Sequence, residues 1–189
     1  MATVNSYTRN MPTPERTTLD EIVRTASALL ETDGLQGVTM QAVAERVGVR
    51  APSLYKRVHS RDRLIQLIAE DSLSELAERL EGIDDPVLLA NTLRAFGHER
   101  PAAFQLVMSP GASTQIPSME FGAAASGSIL RVASELAGPD DALEAARTLT
   151  AWAVGFIGME LNGTFQLGGE VQAAWEFGVT RIVAAITRN

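Results

Sequence analysis

Two short helical patterns meet at a single glycine between Thr39 and Val58, and this junction constrains the fold more than any other stretch. The first pattern begins after Thr39, a potential N-cap, and places apolar side chains at i, i+3, i+4 and i+7 on one helix face: Met40, Val43, Ala44 and Val47. Gly48 follows where the helix must end, because glycine reaches the left-handed conformation without steric cost. Pro52 stands at the start of a second helix, where its missing N–H costs nothing. The pattern predicts a helix-turn-helix.

The second helix of this pair presents a polar, cationic face. At about 100° per residue, Leu54 and Val58 share the inward side, and Lys56 points the opposite way. Ser53 and Tyr55 flank Lys56, so this face offers a hydroxyl, a phenol and an ammonium group without a carboxylate. Such groups suit the major groove of DNA, where donors read base edges and phosphates line both walls. An ordinary solvated helix face is the alternative interpretation.

Other polar residues lie where a helix-turn-helix would present them to the same duplex. The predicted DNA-binding residues are Thr39, Gln41, Arg50, Ala51, Ser53, Tyr55, Lys56, Arg57 and Arg61. From its position opposite the inward face, we expect Lys56 to reach base edges or the wall of the groove. The predicted partner is therefore double-stranded DNA.

Residues 17 to about 80 resemble the DNA-binding domain of the TetR (tetracycline repressor) family of bacterial regulators. The matching residues run from the leading helix into the helix that follows the pair: Ile22, Ala26, Leu29, Gly34, Thr39, Val43, Ala44, Val47, Gly48, Val49, Leu54, Tyr55, Val58, Arg61 and Leu64. The resemblance implies that Tyr55 and Arg61 contact phosphates. It also implies that a small molecule, of unknown identity, binds the C-terminal domain and releases the operator.

The charge of the chain is divided unevenly, which restricts where DNA can bind. Residues 1–63 hold nine Lys and Arg against seven Asp and Glu, a balance of +2. Residues 64–189 hold seven against sixteen, a balance of −9. Phosphate neutralisation requires cations, so contact with DNA is expected only in the N-terminal third. The acidic remainder is expected to face away from the duplex.

Composition also limits the possible chemistry. The chain lacks cysteine, which excludes disulfides and thiolate metal sites, and its two histidines leave little for zinc. We expect no metal and no cofactor. The N-terminus carries no apolar signal core, and the apolar uncharged run at 148–159 is too short to span a bilayer. The expected location is the cytoplasm, with no membrane partner.

Helix-period patterns and breaker residues predict an all-α fold with three parts. Residues 1–16 show no periodicity and are expected to form a disordered arm, in which Arg9 and Arg16 could follow DNA. Residues 17–63 form the predicted helix-turn-helix domain, and residues 64–189 the effector-binding and dimerisation domain. About nine helices are expected. Beyond the helix-turn-helix pair they cover 18–34, 60–82, 86–97, a short stretch from 101, 119–137, 140–162 and 170–187, with a connecting loop at 35–38.

The two C-terminal helices predict a homodimer. Residues 151–161 are apolar nearly all round, and a helix of that kind is buried on all sides. A four-helix bundle with two helices from each chain would bury it. A twofold dimer also separates two recognition helices by about 34 Å, one turn of DNA, which suits a palindromic operator. Gly155 and Gly158 could permit close approach of backbones, or be tolerated glycines within a buried helix.

The stretch from Trp152 to Phe165 resembles the TetR subgroup whose C-terminal domain carries a Trp…His-Gly signature, although Val154 stands where histidine is expected. Several aromatic and methionine residues could line an apolar effector cavity, with ordinary core packing as the alternative: Phe96, Phe104, Met108, Phe121, Trp152, Phe156 and Met159. Glu160 is expected to orient a cationic ligand, to be exposed, or to pair across the dimer with Arg147 or Arg181. His98 is expected to face solvent.

Two other classes of function are alternatives to DNA binding. An enzyme would require a nucleophile with a base, a carboxylate pair or a metal cluster, and the sequence shows no such spacing. The chain is therefore predicted not to be an enzyme. A helical module that binds small molecules or proteins and has lost DNA binding is the second alternative. The polar residues Ser53, Tyr55, Lys56 and Arg61 argue against that loss.

Overall fold

The computed structural model describes residues 17–109 and 117–188, and every regular element in these ranges is an α-helix. The all-α prediction is confirmed. The predicted arm, with Arg9 and Arg16, lies outside the described residues. The nine helices of the described ranges are α1 (Leu19–Gly37), α2 (Met40–Arg46), α3 (Ala51–Tyr55), α4 (Arg61–Leu80), α5 (Pro86–Glu99), α6 (Pro101–Met108), α7 (Met119–Ala137), α8 (Ala142–Leu161) and α9 (Val171–Ile186).

Local capping explains where several helices begin. A side-chain oxygen accepts a hydrogen bond from a first-turn backbone N–H at Thr18, Thr39, Ser60 and Asp85. At the first three caps the donor and acceptor are 3.1 Å apart. Each cap satisfies an N–H group that the helix leaves without a partner. The predicted starts of α1, α2 and α4 are confirmed.

The first helix breaks at Gly34, as predicted, but it does not end there. Gly34 has φ 67 and ψ −179, and α1 continues for one further turn to Gly37. The prediction of a loop over residues 35–38 is therefore wrong for its first three positions. Short apolar and polar residues after a left-handed glycine do not distinguish a loop from a final helical turn.

The three N-terminal helices and the start of α4 pack around apolar side chains, and we call residues 17–63 the head. Its inward side chains are almost fully buried: Ile22, Ala26, Leu29, Val43, Leu54, Val58 and Leu64. Leu54 and Val58 are each 1% exposed, so the inward side predicted for the second helix of the pair is confirmed. A single core holds α3 on the surface of the head.

The remaining helices form the body (residues 64–188), and α4 joins it to the head. This helix contacts α1 at one side and α7 at the other, while α8 packs against α5, α7 and α9. The predicted domain boundary at residue 63 lies inside α4, so the two parts share a continuous helix. In the ranges described above, no helix is both long and apolar enough to cross a membrane.

Two glycines permit close packing between helices of the body. A Cβ on Gly97 would lie 2.7 Å from a methyl carbon of Ile157, and one on Gly178 would overlap the Trp152 ring. Helices α5 and α9 therefore approach α8 through glycine. Gly155 and Gly158 have no atom within 4 Å of such a position, so neither mediates close packing within the protomer.

Candidate nucleic-acid interface

A left-handed glycine sets the angle between α2 and α3. Gly48 has φ 73, and the backbone N–H of Val49 donates to the carbonyl of Ala44 at 2.9 Å. A residue with a Cβ would be strained at that φ. The predicted role of Gly48 as the end of α2 is confirmed. The turn brings α3 to the head's surface while Leu54 remains in the core.

The outward side of α3 carries the polar groups that the sequence predicts. Ser53, Tyr55 and Lys56 are all exposed, and 48% of the Tyr55 surface is accessible. Lys56 follows the last helical residue but keeps right-handed helical geometry, with φ −67 and ψ −25. Its direction opposite Leu54 therefore persists beyond the helix end. A hydroxyl, a phenol and an ammonium group share this surface.

The N-terminus of α2 and the entry to α3 extend the same polar surface. Thr39, Gln41 and Arg50 are exposed, whereas Ala51 is half-buried against the core. The Gln41 side chain donates to Glu45 at 3.0 Å, one turn further along α2. Arg57 is exposed beyond the end of α3. Thr39, Gln41 and Arg50 therefore lie on the surface that a duplex across α2 and α3 would face.

Arg61 differs from its predicted environment. Its Nε donates to the carbonyl of Val38 at 2.7 Å, and its Nη2 donates to the carbonyl of Leu35 at 2.5 Å. The side chain is half-buried, and its contact with a phosphate stays a prediction. The planar guanidinium fits two carbonyls that α1 leaves unsatisfied at its C-terminus. Arg61 thus holds the α1–α2 connection against the start of α4.

A carboxylate on α1 connects the head to the body. Glu31 accepts hydrogen bonds from the backbone N–H groups of Ala102 and Ala103, each at 3.0 Å. These residues form the first turn of α6, so a head residue caps a body helix. Glu31 also accepts from Arg100 Nε at 3.3 Å. We call this cluster the α1–α6 junction.

Arg100 extends the junction to α4. Its Nη1 donates to Glu75 at 2.6 Å, and Arg79 donates to the same carboxylate at 2.6 Å. Arg79 also reaches Glu99 at 2.7 Å, at the end of α5. Charges from α1, α4, α5 and the start of α6 therefore form one connected network. A shift of α6 relative to α4 would change the position of α1.

The predicted ligand-binding residues do not converge on one cavity. Phe96 and Phe104 are core residues, 0% and 3% exposed, while Met159 is 47% exposed on the outer side of α8. Met159 therefore lies away from the apolar interior of the protomer, and its contact with a ligand stays a prediction. Met108 and Phe121 are half-buried on α6 and α7. Helical periodicity identifies the apolar positions of each helix but not which helices meet across a cavity.

Of the predicted set, Trp152 alone lines the apolar cavity between α5, α7, α8 and α9. That cavity encloses ≈ 20 Å³, about the space for one water molecule. Its wall is almost entirely apolar and includes Leu93, Val132, Thr150 and Val179. The ring of Trp152 stacks on Trp175 at 4.8 Å, and Phe156 packs edge-on against Trp175 at 5.2 Å. The body is closed around these aromatic rings.

Glu160 pairs within the protomer rather than across a dimer. Its two oxygens accept from Arg94 at 2.5 and 2.9 Å, and His98 lies 2.9 Å away. The hydrogen bonds from Arg94 lower the pKa of Glu160, against burial that raises it. The prediction that Glu160 is exposed or paired with Arg147 or Arg181 is wrong. His98 is 45% exposed at its side chain, and it is also an ion-pair partner.

Several residues that join distant helices are not indicated by the sequence. Glu31 and Arg94 belong to no sequence motif. Their partners lie 69 and 66 residues away in the chain, so local spacing does not indicate these pairs. Trp175 is fully buried, and its indole N–H donates to Asn91 at 2.7 Å. In the described part of the chain, no group of three or more His, Asp or Glu side chains could hold a metal ion.

Comparison with protein families and curated proteins gives matches over both parts of the chain. The family model "Bacterial regulatory proteins, tetR family" matches residues 22–68, and the model "Tetracyclin repressor-like, C-terminal domain" matches residues 87–182. An uncharacterized HTH-type transcriptional regulator of Mycobacterium tuberculosis is 25% identical over 96% of this chain and 87% of its own length. The class C tetracycline repressor of Escherichia coli is 36% identical over 29% of this chain and 25% of the repressor.

Solved structures share the arrangement of helices. A protein of unknown function from Rhodococcus sp. RHA1 superimposes with a TM-score of 0.77 at 19% identity, covering 94% of this chain and 100% of that one. A TetR variant from Acinetobacter baumannii AYE, in complex with minocycline, has a TM-score of 0.66 at 21% identity and covers 89% and 96%. At these identities the likeness concerns the fold. The Trp…His-Gly subgroup stays a prediction.

The contacts of Arg61 predict a loss of stability when its side chain is removed. Arg61→Ala breaks two charge-assisted hydrogen bonds to carbonyls, so we expect the free energy of unfolding to fall by about 1–3 kcal/mol. Arg61→Lys should not restore it, since one ammonium cannot reproduce the guanidinium fork. Thermal unfolding of both variants measures the effect. Lys56→Ala is the control, with an expected change within about 0.5 kcal/mol. An unchanged melting temperature for Arg61→Ala would contradict this role.

Proposed function

Because the chain belongs to the TetR family of bacterial regulatory proteins, we propose that it is a repressor that a small molecule releases from a palindromic operator. Members of this family are DNA-binding transcription regulators, and the chain is not an enzyme. We propose that it acts as a homodimer in the cytoplasm, where the operator DNA is. The head reads DNA, and the body responds to the effector.

The exposed side of α3 is the observation that carries this proposal. Ser53, Tyr55 and Lys56 form a surface without a carboxylate, held outward because Leu54 is buried beneath them. A major groove admits a helix of this kind and presents acceptors at base edges and phosphates. We assign base reading to Lys56, and backbone positioning to Tyr55, Thr39 and the other polar residues of the surface.

The proposed dimer interface is the outer side of α8 and α9. Leu143, Met159 and Phe177 are 46%, 47% and 66% exposed there, and Ala151 and Gly155 are exposed along the same side of α8. Residues 151, 155 and 159 are four residues apart and form one stripe, and Leu143 lies two turns before Ala151 with the exposed Arg147 between them. Exposed apolar side chains on the two adjacent helices suit a four-helix bundle with the same helices of a second copy. Such a dimer buries the apolar surface that the protomer leaves open.

The proposed effector site is the apolar interior of the body next to Trp152. The lining of the cavity carries no charged side chain among the described residues, and Thr150 supplies a hydroxyl. An apolar or amphipathic molecule fits this chemistry. Its entry requires α5, α7, α8 or α9 to move, because the cavity holds only about one water molecule. Arg100 follows the end of α5 and donates to Glu31 on α1, so a movement of α5 would displace α1 as well.

A helical binding module without DNA binding is the second candidate. It would keep the body and its cavity, and it would need no cationic surface on the head. The exposed Lys56 and Arg50, on the part of the chain with a positive balance, favour the regulator.

The proposed roles predict two kinds of DNA-binding defect. Tyr55→Phe removes a phosphate contact, so affinity should fall equally for operator and unrelated sequences. Lys56→Ala removes a base contact, and should cost on the order of 1–3 kcal/mol and relax preference at one operator position. Titrations of each variant against the operator and its single-base variants, at several salt concentrations, separate the two roles.

Arg46→Ala is the matched control for loss of a head cation. Arg46 lies at the end of α2 away from Thr39 and pairs with Asp33 at 3.4 Å, so its removal should leave affinity and salt dependence unchanged. If Tyr55→Phe and Lys56→Ala also bind operator as the natural chain does, α3 does not read DNA. The binding-module alternative would then replace the regulator.

The proposed interface predicts that one charge separates the dimer. Phe177→Asp replaces the exposed phenyl ring of α9 by a carboxylate, and we expect light scattering at micromolar concentration to give the mass of a monomer. The protomer should remain folded, because Phe177 is 66% exposed within it. Leu19→Asp, at an exposed leucine of the head, is the control and should remain dimeric. A natural chain that is monomeric while binding operator tightly would rule out this interface.

The effector proposal predicts reciprocal linkage. Apolar and amphipathic compounds that raise the melting temperature, because they bind only the folded chain, should also weaken operator binding. The operator should weaken the binding of each compound by the same factor. Tryptophan fluorescence reports binding directly, since both tryptophans of the chain, Trp152 and Trp175, stack beside the cavity. Compounds that occupy the site and leave DNA affinity unchanged would contradict the proposal.

A further inference from the structure

A polar groove of ≈ 340 Å³ runs between the start of α1 and α3, beside the predicted DNA surface. It is separate from the apolar cavity of the body. Cations and hydroxyls line it over an apolar floor: Arg50, Arg57, Thr17, Ser53, Ile22 and Leu54. The described residues that line it include no carboxylate. This lining is suited to an anion.

Thr17 is an unusual residue in this groove. It is only 6% exposed, and its hydroxyl has no hydrogen-bond partner in the described part of the chain. A buried hydroxyl without a partner destabilises the folded state, because it has lost its hydrogen bonds to water. The presence of a hydroxyl at this position is explained if the group gains an acceptor in another state of the protein. A binding partner could bring that acceptor, because a hydrogen bond to the partner would satisfy the hydroxyl in the complex.

We propose that this groove binds one phosphate of the DNA backbone and that Thr17 donates a hydrogen bond to it. The proposal rests on the proposed function, because the phosphate belongs to the duplex that α3 reads. Arg50, Ser53 and Arg57 border both the groove and the DNA surface. A duplex lying across α3 has its phosphates along the walls of the major groove, next to this border.

The assignment adds α1 to the DNA contacts of the head. Arg50 neutralises the phosphate, and Ser53 and Thr17 donate to its oxygens. The contact carries no sequence information, since every nucleotide has the same phosphate. It fixes the angle at which α3 enters the groove, because α1 and α3 then hold the same strand. Thr17 is therefore a positioning residue for base reading by Lys56.

A specific combination of effects follows for Thr17→Val, which removes the hydroxyl and keeps the shape. The melting temperature should stay the same or rise, because the unpaired hydroxyl is gone. Affinity for the operator and for a random-sequence duplex should fall alike, by about ten-fold. Fluorescence anisotropy with labelled duplexes measures both affinities. A purely structural residue would not combine higher stability with weaker binding.

Three further variants control the experiment. Thr17→Ser keeps the hydroxyl and should bind DNA as the natural chain does. Thr32→Val makes the same chemical change on the same helix, where the hydroxyl donates to the Ala28 carbonyl at 3.2 Å, and should leave affinity unchanged. Arg50→Ala should weaken binding to all sequences and reduce the slope of affinity against salt by roughly one.

Duplexes with one neutral methylphosphonate in place of a phosphate identify the contact itself. At one position in each half-site, the natural chain should lose about ten-fold in affinity. Thr17→Val should lose little more at that same position, because its contact is already absent. At all other positions the two proteins should lose affinity equally.

Two results would overturn the proposal. One is unchanged DNA affinity of Thr17→Val, and the other is a loss of affinity that accompanies a lower melting temperature. Both are distinguishable from failure of the proposed function, in which the natural chain itself binds no DNA.

Discussion

The carboxylate of Glu31 joins the two parts of the protein, and the proposed mechanism depends on it. It lies on α1 of the head, yet it caps α6 of the body through two backbone N–H groups at 3.0 Å. Arg100 and Glu75 extend the same cluster to α4. A charged network with this many partners is sensitive to geometry, because hydrogen bonds weaken steeply with distance and angle. A small movement of the body helices therefore has a direct physical route to the head.

The head transmits that movement because its parts are held to one another. Arg61 fastens the α1–α2 connection to the start of α4, and Leu54 anchors α3 in the core. Rotation of the head relative to the body therefore moves α3 as a unit with its exposed Tyr55 and Lys56. In a dimer, the same rotation changes the separation of two such helices. Operator affinity depends on that separation, because the half-sites of a duplex have a fixed spacing.

Local chemistry explains which features could be predicted from the sequence. Thr39, Gly48 and Ser60 act on residues within a few positions of themselves, so their capping and turn roles follow from spacing alone. The exposed side of α3 follows from helical period in the same way. The sequence also predicts a helix that begins at Ser60 and includes Arg61. The partners of Arg61 are the carbonyls of Leu35, in the last turn of α1, and of Val38, just after it, and helical periodicity does not predict where that turn runs. Long-range pairs such as Arg94 with Glu160, and the identity of the cavity wall, depend on which helices meet.

Selection of bound duplexes from a random DNA pool tests the central claim most directly. The account predicts enrichment of an inverted repeat whose half-sites are centred about one turn of DNA apart, or a multiple of it. The recovered motif should bind the natural chain with affinity that falls steeply with salt, as phosphate neutralisation requires. A folded, dimeric protein that enriches no sequence above the starting pool would contradict the account, and would leave the body as a binding module without an operator.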